Sequence, residues 1–204
     1  MAEEQPKERK KAVNGKAKGS GFESTIAKLF SDTFQPLQFR RSQSSGAILG
    51  GKNAWMINRF SNDARTLFVG DIVPTNEVDV QRAEGWRFRF TIECKFYKEQ
   101  DSFTSLFKNP QIKGWFEQAF ADAQKIDDKL ALLVFKFNHT PVFVAFETSI
   151  EPPATVSSLV GLCYNLLDAD GNVVGKRRLH IALLTELLED QSWWKIVPEV
   201  INFE

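Results

Sequence analysis

The longest regular pattern in the chain has a period of two. Trp86, Phe88, Phe90, Ile92, Cys94 and Phe96 alternate with Arg87, Arg89, Thr91, Glu93, Lys95 and Tyr97. This predicts a strand over residues 86–97 with one apolar face. Glu93, Lys95, Arg87 and Arg89 then share the other face. Upstream, Phe22, Ile26, Leu29 and Phe30 are spaced as on a helix. Ser20 is placed to cap that helix, and Glu23 falls at its third position. Phe39-Arg40-Arg41 reads as a short extended piece. Residues 42–53 are rich in Ser and Gly and read as a loop. Thr66 to Val73 reads as a buried strand that Pro74 stops.

Downstream, a helix is predicted from Lys113 to Lys125, with Trp115, Phe116, Ala119, Phe120 and Ala123 on its buried stripe. Leu130–Phe137 and Val142–Phe146 read as apolar strands joined around Asn138-His139-Thr140-Pro141. The order helix, strand, strand, helix, strand, strand predicts an α/β fold with a mixed sheet. Glu151-Pro152-Pro153 reads as a boundary. Beyond it come a hairpin around Asp168–Asn172, a helix from Ile181 to Leu188, and Trp193-Trp194. The expected organisation is a tail over 1–19, a core over 20–150, and an extension over 151–204 packed on the core.

Composition narrows the function classes. The 204 residues carry 26 Lys and Arg against 26 Asp and Glu, with 43% hydrophobic positions. That is globular composition, and it excludes a uniformly basic coat protein. No stretch is long and apolar enough for a membrane span or a secretory leader, so a cytoplasmic protein is expected. Cys94 and Cys163 lie far apart and form no CxxC pair, so neither a disulfide framework nor a zinc ribbon is expected. Cys163 is expected to be packed. The neutral total hides an uneven distribution. Lys7, Arg9, Lys10, Lys11, Lys16 and Lys18 face only Glu3, Glu4 and Glu8 in residues 1–19. That tail is expected to be disordered when unbound, either as a solubilising segment or as a basic arm for a polyanion.

The candidate chemistry lies on the two central strands. If they pair, Asp71, Glu93 and Lys95 converge at one edge of the sheet. Two close carboxylates repel unless a proton or cation intervenes. Mg²⁺ prefers such oxygen ligands, activates a bound water and offsets charge on a phosphate. The competing reading is a salt-bridged network on a solvated face.

Val69-Gly70-Asp71-Ile72-Val73 followed by Ile92-Glu93-Cys94-Lys95 resembles the PD-(D/E)XK nuclease superfamily. Glu23 on the first helix, with Arg40-Arg41-Ser42-Gln43-Ser44-Ser45-Gly46 before the Asp strand, is similar to its Holliday junction resolvase branch. The helix with Trp115 and Gln118 looks like the segment that follows the Lys in many members. The resemblance covers roughly residues 20–146 and implies a restriction-endonuclease-like core, a central mixed sheet flanked by helices. Asp71 and Glu93 would bind Mg²⁺, or Mn²⁺ in its place, with the Cys94 carbonyl as a further ligand. Lys95 would position the attacking water. Glu23 would support the metal, unless it is only the capping acid of its helix. Ser45 and Gly46 would lie beside the scissile phosphate, and Gln118 would help orient the water. Arg40, Arg41, Arg87 and Arg89 would contact DNA phosphates.

The implied activity is a metal-dependent DNA endonuclease, favouring branched DNA such as a four-way junction, cut by a homodimer of matching symmetry. A small nuclease of this kind would suit a phage or mobile element. Two alternatives stay open. One is a restriction-type or repair nuclease that reads bases with Asn76–Arg82 and residues 151–204. The other is a non-catalytic DNA-binding protein of the same fold.

Overall fold

The computed structural model describes residues 15–42, 55, 59–97 and 110–197. Helix α1 (Gly15–Thr33) leads into β1 (Phe39–Arg41). A short α2 (Asn62–Thr66), β2 (Ile72–Pro74) and α3 (Glu77–Glu84) follow. Next come β3 (Arg87–Phe88), β4 (Phe90–Tyr97), α4 (Pro110–Ala123), β5 (Leu130–Phe137) and β6 (Val142–Glu147). The chain continues through β7 (Val160–Leu167), β8 (Val173–Leu183), α5 (Leu184–Leu187), a 3₁₀ turn (Gln191–Trp194) and β9 (Lys195–Ile196).

Seven strands form one mixed sheet in the order β1-β2-β4-β5-β6-β8-β7. Only β4 and β5 run parallel among these neighbours, in register from Phe90–Leu130 to Tyr97–Phe137. A parallel pair needs a crossover, and α4 lies in it. The expected α/β architecture, a mixed central sheet with flanking helices, is therefore what forms.

Both faces of the sheet are covered. On one, Phe22, Ile26 and Phe30 of α1, with Phe34 just after it, pack over Ile72, Phe90, Ile92, Cys94 and Leu132. On the other, Ile112, Phe116, Ala119 and Ala123 of α4 pack over Leu133, Phe135, Ala145 and Ile181. The predicted alternation in β4 therefore holds, but its polar face is not solvated. Thr91 and Glu93 lie beneath the α4 layer and are as buried as their apolar neighbours.

Several local expectations need correction. Helix α1 starts at Gly15, so Ser20 is an interior residue whose carbonyl accepts from the Ser24 hydroxyl. Glu23 is therefore no capping acid. Residues 1–14 of the expected tail lie outside the described residues. Thr66–Gly70 is not strand. Ser61 caps α2 through the Ala64 N–H, the chain turns at Leu67, and Gly70 takes a φ of +95°, leaving three residues for β2. The predicted 86–97 strand breaks at Arg89. Its first part pairs with β9 and its second with β5, so the chain changes partners there.

Residues expected to begin a helix at Ile181 instead extend β8 to Leu183. His180, Ile181 and Ala182 bond across to β6, which outweighs their helical spacing. Beyond Glu151-Pro152-Pro153 the chain adds β7 and β8 to the same sheet, β8 lying beside β6. Trp193 and Trp194 are buried, with their indole N–H groups on the carbonyls of Glu151 and Leu187. The Asp168–Asn172 turn does form the expected β7–β8 hairpin. Both cysteines are free, and Cys163 is exposed rather than packed.

Candidate active site

Strands β2 and β4 share one ladder position, Ile72 opposite Ile92. Just before it, the Asp71 N–H donates to the Ile92 carbonyl at 2.8 Å. The Asp71 carboxylate then takes over from the backbone, as Oδ2 accepts the Cys94 N–H at 2.9 Å. A side chain thus stands where the next ladder acceptor would be, and it is locked to the strand that carries Glu93 and Lys95. Gly70 makes the approach feasible. A Cβ there would lie 2.8 Å from the Ile92 carbonyl oxygen, and the φ of +95° is open to glycine but strained for other residues.

Glu93 is 1% exposed and Asp71 6%. Lys95 bonds Glu93 Oε1, while Glu93 Oε2 is buried with no protein partner. Burial, then the nearby Asp71 charge, pushes the Glu93 carboxyl up to about 8. Burial also raises Asp71, against the opposing Cys94 N–H, Lys95 charge and side-chain hydrogen bond with Glu93. Burial alone would lower Lys95, but the Glu93 charge and hydrogen bond prevail and raise it. Two carboxyls and one ammonium are thus closed in together, and no donor reaches Glu93 Oε2. A salt-bridged network on a solvated face is excluded by this burial.

The remaining candidates divide. Glu23 belongs to the surroundings of the cluster: its charge adds to the upward shift of Asp71, and its carboxylate pairs with Arg41 Nε. Arg41 is therefore engaged, whereas Arg40 is exposed beside it. The Cys94 side chain faces the α1 layer, and burial pushes its thiol up, so only its backbone borders the carboxylates. Ser45 and Gly46 lie outside the described residues.

Arg87 and Arg89 do not stand with Glu93 and Lys95 on an open face. Arg87 reaches Asp63 and Glu77, and Arg89 reaches the Trp193 carbonyl. Gln118 is exposed on α4. One turn later, Asp122 is buried, pairs with Lys125, and contributes to the upward shift of Glu93. Asp122 is not among the residues the sequence motifs single out. Its signal was an acid three residues after Ala119 and next to Ala123, inside the apolar stripe of the helix.

A model of the family described as Phage putative PDDEXK endonuclease matches residues 14–162, well over half of the chain. The chain belongs to this family. The match spans α1, every residue of the Asp71–Glu93–Lys95 cluster and α4, and it ends inside β7. The coarser part of the sequence resemblance, a PD-(D/E)XK nuclease of a phage family, therefore stands. No curated protein and no solved structure gives a significant match.

The PDDEXK frame leaves the ligand question to the residues themselves. Among the described residues, no group of three or more His, Cys, Asp or Glu is spaced to hold a metal ion. The available oxygens at the cluster are the two carboxylates and adjacent backbone carbonyls. Among the described residues no helix is long and apolar enough to cross a membrane.

Proposed function

We propose that this PDDEXK protein is a Mg²⁺-dependent DNA endonuclease, selective for branched DNA and active as a homodimer. One observation carries the proposal. Glu93 Oε2 is buried and unpartnered beside a second buried carboxyl. A pair of carboxylates with spare lone pairs suits a hard divalent cation, which prefers oxygen and keeps several waters. Asp71 and Glu93 would hold it, with the Cys94 carbonyl alongside. When bound, such an ion supplies an activated water and offsets charge on the phosphate.

The chain's own groups supply the rest. The Cys94 N–H fixes one Asp71 oxygen and so holds the carboxyl beside Glu93. Lys95, about a quarter exposed, reaches from the buried carboxylates toward solvent. Its ammonium is placed to orient a water for in-line attack and to steady the phosphorane oxygen. Arg41 neutralises Glu23, which limits the negative charge met by an approaching phosphate. Arg40, exposed at the same strand, would contact the DNA backbone.

The structure weakens one route to base reading. Asn76–Arg82 falls within or next to α3, with Glu77 and Val80 buried and Asn76 tied to Gln38 and Pro36. It is not a free recognition loop. This favours selection by DNA shape.

The test is cleavage of a junction, a flap, a linear duplex and a single strand, with Mg²⁺ or Mn²⁺. Purified protein should cut the branched substrates in preference, and Asp71→Ala should not cut. Equal cutting of duplex and junction would refute the branched-DNA selectivity. Identical behaviour of wild type and Asp71→Ala on every substrate would refute the enzyme itself. Sedimentation at working concentration should give a dimer.

A further inference from the structure

Of the five tryptophans, Trp86, Trp193 and Trp194 are buried and Trp115 is half-buried between α4 and the strands. Trp55 is 58% exposed. An indole gains much from burial, so one left in solvent calls for a reason. The Arg59 guanidinium stacks on it, 4.8 Å from the ring centroid.

The residues that follow this pair are tied to those that precede Asp71. Phe60, next to Arg59, packs on Phe68 with ring centroids 5.9 Å apart, and both rest on Val69 and Ile126. Val69 is two residues from Asp71. Arg65 braces the same place by donating to the Phe60 and Lys125 carbonyls. Lys125 in turn pairs with Asp122, the acid whose charge bears on Glu93. The other end of the segment is also tied in, as the Ser42 N–H donates to the Asp71 carbonyl at 2.8 Å. Ser42 and Val69, the described residues on either side of the intervening segment, therefore both lie next to Asp71.

We propose that Trp55 and Arg59 form a stacking platform for an unpaired nucleobase next to the scissile phosphate. This rests on the nuclease reading and specifies what selects the substrate. The ring offers a face that any base can stack on. The guanidinium holds the ring in place and stays close enough to contact a flanking phosphate. Within a continuous duplex, bases are already stacked on both sides and cannot use the platform. At a flap, a single strand, or a junction whose branch-point pairs have opened, a base is free to do so. The selectivity for branched DNA then comes from Trp55, while Asp71, Glu93 and Lys95 perform the same hydrolysis on any strand.

The test compares wild type, Trp55→Ala, Trp55→Phe and Arg59→Ala at full length. Binding is measured in Ca²⁺ to a flap or junction and to a fully paired duplex of the same sequence. Trp55→Ala should lose about tenfold or more on the substrates with unpaired bases, and about twofold or less on duplex. Trp55→Phe should retain most of the affinity, and the flap should quench part of the wild-type tryptophan fluorescence but not that of Trp55→Phe. An unchanged thermal melt confirms that an exposed substitution leaves the fold intact. Equal losses on both DNAs, or no loss on either, overturn the platform. Those outcomes are separate from the nuclease reading, which stands or falls on whether wild type cuts DNA and Asp71→Ala does not. If wild type binds no DNA at all, both fall together.

Discussion

Two buried charged clusters lie on opposite ends of the β3–β4 stretch, and they are built to opposite rules. Around Glu77, both carboxylate oxygens have partners. Oε1 accepts Lys129 Nζ at 2.5 Å and the Phe88 N–H at 2.8 Å, and Oε2 faces Arg87 Nη2 at 3.5 Å. Lys129 also bonds the Phe88 carbonyl, and Asp63 balances Arg87. Acids and bases match in number. Around Glu93, two carboxyls share one ammonium and Oε2 has no partner. Burial with matched charges ties α2, α3, β3 and the start of β5 together. Burial with surplus negative charge costs stability, and it makes sense as a place for a cation or a proton. The comparison separates structural ion pairs from a site without any appeal to motif.

Breaking each cluster should therefore have opposite consequences. Asp71→Ala or Lys95→Ala should cut the cleavage rate by about a thousandfold. For Asp71→Ala, urea unfolding should show stability unchanged or improved, since one of two neighbouring buried carboxyls is gone; Lys95→Ala removes the ammonium bonded to Glu93 and should be destabilising. Glu77→Ala should do the reverse. It leaves Lys129 buried without its counter-charge and should cost about 3–5 kcal/mol in urea unfolding. The rate per folded molecule should stay near wild type. A loss of cleavage in Glu77→Ala beyond its loss of folded protein would merge the two clusters and undo the distinction.

Proton linkage gives a subtler contrast. The Glu93 carboxyl titrates at about 8 in the fold against 4.5 for a free one. The folded state thus holds the proton more tightly than the unfolded state. That contribution to stability is complete below the unfolded value and is lost as pH rises through about 8. Metal-free wild type should therefore weaken by a few kcal/mol, in order of magnitude, between those limits. Glu93→Gln should remove most of that dependence, as read by melts across pH. Gly70→Ala should affect fold and activity together, since its new Cβ meets the Ile92 carbonyl and its φ is disfavoured. A cost of about 1–3 kcal/mol is expected, with cleavage lowered because Asp71 is pushed off the Cys94 N–H. The smallest effect belongs to Glu23→Gln, which should lower cleavage by about tenfold with little change in the melt.

Much of this was legible in the residues, for reasons that vary by element. The alternation through β4 is a local signal, so Glu93 and Lys95 were placed side by side correctly. The burial of their face was not legible, because it depends on α4 crossing above them. Asp71 was found as an acid in an apolar run, yet that run is mostly turn. Gly70 and the Ser61 cap shape it, and a hydropathy pattern does not register either one. The hidden half was long-range. Glu77 and Lys129 are 52 residues apart, and neither position looks buried in sequence. Asp122 was overlooked because one acid in a helix reads as surface. β8 ran on past Ile181 because β6 offered it bonds that local spacing does not reveal.

The central claim is that the unpartnered Glu93 oxygen and Asp71 together hold a divalent cation. Calorimetric titration of Mn²⁺ or Mg²⁺ at pH 7, in two buffers of different ionisation enthalpy, tests it most directly. The account predicts binding by wild type with release of a proton, because a carboxyl that titrates near 8 must ionise to accept the metal. It predicts loss of that binding in both Asp71→Ala and Glu93→Gln. Binding that persists in either variant, or that releases no proton, would contradict it.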